Sequence, residues 1–192
     1  MKIGVLALQG DFYEHQTALQ SLGVDTIQVR LPEALQDLNG LIIPGGESTT
    51  IGKLAVAFGL MEPLKEFGLN RAIWGTCAGA IFLSKTEGLN QPLLGLMNIT
   101  IERNAFGRQV DSFEADLDIP ALAAVDPTGA PFKTVFIRGP VINSVNPPAE
   151  ALSRLPDGRI VAARQGKLLA TSFHPELTTD TRFHKLFLEM AK

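Results

Sequence analysis

Cys77 is the only cysteine in the 192-residue chain, and it stands in Trp74-Gly75-Thr76-Cys77-Ala78-Gly79-Ala80. The apolar Ala72-Ile73-Trp74 runs into a turn of small residues, and the helix-like Ala80-Ile81-Phe82-Leu83 follows. Strand, sharp turn and helix in that order make a nucleophile elbow, whose serine form reads G-x-S-x-G. Gly75 and Gly79 remove the Cβ atoms that would block so tight a turn. The elbow holds the sulfur at a strand end with helix N–H groups beneath it, and these favour thiolate over thiol. A lone cysteine is more often a packing residue, so a nucleophilic reading needs a base and a group that orients it.

The chain has three histidines. His174 stands in Leu168-Leu169-Ala170-Thr171-Ser172-Phe173-His174-Pro175-Glu176, at the end of a strand-like run that Pro175 stops. Glu176 lies two residues on, across the stiff proline, where it can accept the second ring N–H of His174. His15 shares a helix face with Phe12, Leu19 and Leu22, and His184 lies beside Phe183 and Phe187. Both read as packing histidines.

These side chains need a scaffold, and alternating strands and helices supply it. Lys2 to Leu8 is a buried-strand pattern. Asp11 then reads as an N-cap with Glu14 as its capping partner. A helix follows from Phe12 to Leu22, closed by Gly23. Val24 to Val29, Leu41 to Ile43 and Ala72 to Trp74 are further strands, with helices over about 49–58 and 62–67. This alternation predicts an α/β fold, an open and mostly parallel sheet flanked by helices. The second half changes style. Short strands are expected at Met97–Glu102, Ser112–Leu117 and Thr134–Arg138. A hairpin turns at Gln165-Gly166 between Ile160–Arg164 and Lys167–Ser172, so additional antiparallel strands extend the sheet. Pro120 to Pro131 reads as an exposed loop, and Thr179 to Ala191 as a last helix. One domain over residues 1–192 is expected.

Composition limits the alternatives. Hydrophobic residues make up 45% and charged residues 19%, with a net charge of −3, as in ordinary folded enzymes. No basic block suggests a nucleic-acid partner, and no run approaches the length that spans a bilayer. A single cysteine fits a reducing cytoplasm. In an open α/β sheet, ligands bind beyond the carboxyl ends of the strands. That rule gathers Gln9-Gly10, Pro44-Gly45-Gly46-Glu47-Ser48 and Cys77 at one place. The Gly45-Gly46 pair can turn its N–H groups into a cavity, where together with the N–H of Ala78 they would form an oxyanion hole; a Gly-rich loop can also cradle phosphate, but no Gly-Lys-Ser/Thr follows here.

The motifs Gly75-Thr76-Cys77-Ala78-Gly79, Pro44-Gly45-Gly46-Glu47-Ser48-Thr49-Thr50 and Phe173-His174-Pro175-Glu176 resemble those of the triad-type (class I) glutamine amidotransferases. Three more segments narrow the match: Leu8-Gln9-Gly10, Arg103-Asn104-Ala105-Phe106-Gly107-Arg108-Gln109 and Phe136-Ile137-Arg138-Gly139-Pro140. Together they resemble the glutaminase subunits of pyridoxal 5′-phosphate synthases over nearly the whole chain. Gly139 departs from the alanine more usual there.

The resemblance implies that Cys77 is the nucleophile and that His174 and Glu176 complete its triad. It implies that L-glutamine contacts Gly46, Glu47, Ser48, Arg103, Ile137 and Arg138. It further implies ammonia transfer through a protected channel to a synthase subunit that builds vitamin B6, with no metal and no cofactor held by this chain. Gln9, at the end of the first strand, is expected to take part in activation when that partner docks. Two alternatives are another amidotransferase subunit, such as that of histidine biosynthesis, and a cysteine-based redox sensor. The Arg103–Gln109 stretch and Leu8-Gln9-Gly10 weigh against the first, and the His174-x-Glu176 pair against the second.

Overall fold

The computed structural model describes residues 1–103 and 112–192. Its first half alternates as the apolar periodicity requires: β1 (Lys2–Leu6), α1 (Phe12–Ser21), β2 (Asp25–Val29), β3 (Gly40–Ile43), α2 (Ser48–Ala57), α3 (Met61–Asn70), β4 (Ala72–Thr76) and α4 (Ala78–Leu83). The second half is richer in strands: β5 (Ile99–Glu102), β6 (Ser112–Leu117), β7 (Phe132–Ile137), β8 (Val141–Val145), β9 (Glu150–Arg154), β10 (Ile160–Gln165) and β11 (Leu168–Thr171), before α5 (Arg182–Met190).

One sheet runs β2-β1-β3-β4-β11-β10-β8-β5, with β9 paired to β10 off that path. The strands β2, β1, β3, β4 and β11 are mutually parallel. Pairings among β11, β10, β9, β8 and β5 are antiparallel. The sheet is therefore a parallel core with an antiparallel extension, and β6 and β7 form a separate antiparallel ribbon. Because successive strand residues face opposite sides, the central strands feed two cores. Leu41, Ile43, Ile73, Leu168 and Ala170 pack with Ile51 of α2, Leu64 of α3 and Phe82 of α4. Ile42, Trp74 and Leu169 pack with Leu19 of α1 and with Phe183, Leu186 and Phe187 of α5. Each such large buried side chain contributes about 1.5–3 kcal/mol of transfer free energy.

Several sequence expectations change. Asp11 precedes α1, but its side chain makes no capping hydrogen bond. It faces His174 instead, with Oδ2 3.5 Å from Nδ1. Gly23 does close α1, at φ +74°. The β10–β11 hairpin turns at Gly166-Lys167, one residue later than expected, since Gln165 pairs with Leu168. The Pro120–Pro131 segment is not all exposed loop: Pro120–Ala124 is a 3-10 turn with Leu122 buried in the α5-side core. The strands β8 and β9 were not expected. Both mix polar and apolar residues without clean alternation, so no local period marks them. Among the described residues, no helix is long and apolar enough to cross a membrane.

Candidate active site

Cys77 follows β4 in a strained turn, with φ +47° and ψ −104°. Such backbone costs about 1–3 kcal/mol and persists only where the surroundings over-determine it. They do so here. The Cys77 N–H donates to the Thr171 carbonyl of β11 at 2.8 Å, and the Cys77 carbonyl accepts from Ala80 and Ile81 at 3.1 and 3.3 Å. A Cβ on Gly75 would overlap the Gly79 carbonyl, and one on Gly79 would overlap the Ile43 carbonyl. The glycines flanking the cysteine are thus required by backbone contact across the turn. Ala78 is the first residue of α4, so its N–H has no partner inside the helix.

His174 arrives from β11, with its N–H donated to the Val135 carbonyl at 2.8 Å. Its Nδ1 lies 2.7 Å from Glu176 Oε1. Glu176 sits on the 3-10 turn Pro175–Leu177, so the proline places the carboxylate beneath the ring. The Cys77 side chain, which lines the same cavity as His174, also helps hold the imidazolium charged. With Nδ1 donating to the carboxylate, Nε2 is the ring nitrogen left to serve the sulfur. All three groups are buried. Burial opposes charge on His174, but the hydrogen bonds and charges of Cys77 and Glu176 outweigh it and hold the ring at about 10. Burial pushes Glu176 up, and the imidazolium against it pulls the other way. The 2.7 Å contact keeps the carboxylate as the charged partner. Asp11, which sequence reasoning took for a helix cap, is also raised by burial, with His174 opposing.

A cavity of about 510 Å³ opens over Cys77. Gln9, Gly46, Glu47, Ser48, Ala78, Arg103, Ile137, Arg138 and His174 line it, so every sequence-predicted site residue except the underlying Glu176 reaches one space. Of the Arg103–Gln109 stretch, only Arg103 lies within the described residues.

The loop after β3 is tied down from both sides. Gly45 accepts from the Asp11 N–H at 3.1 Å, and Gln9 Oε1 accepts from the Glu47 N–H at 2.6 Å. In a planar trans peptide the next N–H points opposite to the carbonyl, so the Gly46 N–H faces away from Asp11. Gly46 takes φ +148°, and a Cβ there would overlap the Gln9 carboxamide.

The polar lining is partly spoken for. Glu47 Oε1 accepts from the Thr49 N–H and from Arg103 Nη2. Its Oε2 accepts from the N–H and hydroxyl of Thr50. Burial raises the Glu47 carboxyl, but the hydrogen bonds from Thr50 and Thr49 overcome it and hold it below its ordinary value. Arg103 also donates to Gln91 Oε1 at 3.1 Å, an oxygen shared with Thr49 and Ser48. Arg138 has φ +45° and no ion-pair partner among the described residues.

Besides Asp11, which lines the cavity, sequence reasoning missed His15. His15 is fully buried, as a packing histidine would be, yet its Nε2 comes within 3.3 Å of Glu176 Oε2. The signal was its place just past the carboxyl end of β1, beside the crevice where ligands bind.

A model of the SNO glutamine amidotransferase family matches residues 5–192. The chain is 62% identical over 193 residues to the pyridoxal 5′-phosphate synthase subunit PdxT of Herpetosiphon aurantiacus, covering 98% of this chain and 99% of that one. It is 56% identical over 191 residues to the corresponding subunit of Pelotomaculum thermopropionicum, covering 98% and 94%. A crystal structure of a glutamine amidotransferase matches with a TM-score of 0.91 and 50% identity over 98% of both chains.

Proposed function

The chain belongs to the SNO glutamine amidotransferase family, and on that premise we propose that Cys77, His174 and Glu176 are the catalytic triad with which it hydrolyses L-glutamine. The protein is the glutaminase subunit of a pyridoxal 5′-phosphate synthase, supplying ammonia to the synthase subunit. The observation that carries the site is one constellation: Glu176 Oε1 lies 2.7 Å from His174 Nδ1, and His174 and Cys77 line one cavity, where Cys77 helps keep the imidazole charged.

The Cys77 sulfur attacks the side-chain amide carbon of glutamine. The carbonyl oxygen becomes an oxyanion on the N–H groups of Gly46 and Ala78; losing one such donor typically costs about 100- to 1000-fold. The His174 imidazolium gives its Nε2 proton to the amide nitrogen, the C–N bond breaks and ammonia leaves. A γ-glutamyl thioester remains. His174, now neutral, takes a proton from water, the hydroxide adds to the thioester, and glutamate departs as Cys77 is regenerated.

Substrate binding follows from what is still free. The Glu47 carboxylate already accepts four hydrogen bonds, which fills its lone-pair sites. Its main work is to cap α2 and hold Arg103. We assign the α-carboxylate of glutamine to Arg138, whose guanidinium has no ion-pair partner among the described residues. Ser48 and Ile137 close the pocket around the chain of the amino acid. We treat residues 1–192 as one glutaminase domain and place it in the cytoplasm, where the lone thiol stays reduced.

The test is glutamate release from glutamine, with the synthase subunit titrated in. Turnover that requires Cys77 is expected, with Cys77→Ala folded and inactive. Near-normal turnover by Cys77→Ala would overturn the mechanism.

A further inference from the structure

Behind the triad lies a second set of buried groups that the mechanism above does not use. His184 Nε2 of α5 lies 3.1 Å from His15 Nδ1 of α1. His15 Nε2 in turn lies 3.2 Å from Thr76 Oγ1 at the end of β4, and 3.3 Å from Glu176 Oε2. The His15 and Glu176 side chains are both fully removed from solvent. Glu176 Oε2 accepts no hydrogen bond among the described residues, so His15 Nε2 is the group beside this buried carboxylate oxygen.

We propose that His15 is a positioning residue for the glutaminase triad, with His184 setting its tautomer so that Nε2–H faces the second carboxylate oxygen of Glu176.

The tautomer follows from donor and acceptor bookkeeping. An ionised carboxylate only accepts, so the nitrogen facing Glu176 Oε2 must carry the proton. A neutral imidazole then has an acceptor at Nδ1, and the proton between the two histidines sits on His184 Nε2. That leaves His184 Nδ1 as a lone pair. It is the buried ring nitrogen found without a partner, and an unpaired acceptor is tolerated better than an unpaired N–H. The opposite arrangement would turn a lone pair of His15 toward the carboxylate and bury an unpaired N–H on His184. Burial and the neighbouring His184 and His174 hold His15 well below an ordinary histidine. Burial pushes His184 down to about 4. Both rings are therefore neutral at working pH, as this bookkeeping requires. The N–H of His15 is directed at Thr76 Oγ1, and Glu176 Oε2 lies beside it at 3.3 Å, where its influence on the carboxylate is electrostatic. This contact presents an N–H dipole to the side of Glu176 turned away from His174. The titratable groups around Glu176 are His174 and Asp11 on the cavity side and His15, backed by His184, on the core side.

The proposal rests on the glutaminase reading, and its test separates the two. Imidazole 15N spectra of the wild-type chain should show His15 neutral and protonated on Nε2 from pH 5 to 9; protonation on Nδ1, or a cationic ring, overturns the proposal without reference to activity. In the complex with the synthase subunit, His15→Phe keeps the edge-on packing against Trp74 but removes the N–H. It should lower kcat about 3- to 10-fold, less than a full hydrogen bond to a charged group would, because the N–H is directed mainly at Thr76 Oγ1. The KM for glutamine should stay within about threefold, because His15 does not line the cavity. The acid limb of the kcat profile should move to higher pH, since Glu176 protonates more readily without a donor. His15→Gln, whose amide keeps a donor, should recover most of the loss. Equal losses in both variants with an unmoved acid limb would mean a merely structural role and overturn the proposal. A wild-type complex that releases no glutamate overturns the glutaminase reading, and the tautomer then decides the positioning claim alone.

Discussion

Replacing Cys77 with alanine removes one of the two groups that hold the His174 imidazolium. Burial favours the neutral ring, yet Cys77 and Glu176 keep it charged up to about 10, against an ordinary 6.5. At 1.36 kcal/mol per pH unit, that gap is about 5 kcal/mol of imidazolium stabilisation. A hydrogen bond to a charged partner supplies about 1.5–3 kcal/mol, so losing Cys77 should bring His174 down by about 1–2 pH units, to about 8–9. The assay is an NMR titration of the imidazole nitrogens in the wild type and in Cys77→Ala. The other two rings are held neutral well below this range, so His174 is the histidine that titrates on the alkaline side.

The same shift has a sign in stability. The folded value lies above the unfolded one, so the His174 contribution is complete below about pH 6.5 and is lost as pH rises through about 10. In Cys77→Ala that loss should be finished by about pH 8–9, which the pH dependence of the urea midpoint would show. Wild-type His174 titrating near 6.5, or at about 10 in both proteins, would refute the reasoning. Either result would mean that Cys77 does not share the imidazolium.

Other outcomes follow from the same contacts. His174→Asn should be nearly as damaging to glutamine hydrolysis as loss of Cys77, because nucleophile and base act as a unit; Glu176→Gln should cost about 10- to 100-fold less in kcat. Initial rates at saturating glutamine distinguish these, and a fully active His174→Asn would show that the wrong histidine was chosen. Gln9→Ala removes the 2.6 Å bond to the Glu47 N–H, worth about 1 kcal/mol. It should disturb activation by the synthase subunit more than it disturbs folding. The expectation behind this is that the pure chain turns over weakly until docking sets the Gly45-Gly46 peptide. Full turnover by the isolated chain, unchanged by a synthase that binds, would sink that gating.

Much of this protein was legible along the chain because its signals are local. The glycines of Gly75-Thr76-Cys77-Ala78-Gly79 announce a turn that no Cβ could enter, and the backbone overlaps at Gly75 and Gly79 are the reason. His174-Pro175-Glu176 carries an imidazole and a carboxylate on one stiff loop, so their 2.7 Å contact follows from two residues of separation. The strands β1, β3 and β4 are apolar runs between helical periods, and parallel pairing follows from that alternation.

What lies far apart in sequence was decided only by the fold. Strand pairing brings β11 beside β4 across 97 residues, as the Trp74–Thr171 hydrogen bond records, and only that adjacency sets His174 against Cys77. The polar, weakly patterned β8 and β9 are strands because neighbouring edges accept them. Asp11 looks like a helix cap until β11 delivers an imidazole to it. His15 looks like any buried histidine until α5 and the Glu176 turn close around it. Residue type fixes what a side chain can donate or accept, but its partner depends on which distant segment shares its few ångströms, and that is a property of the packed chain.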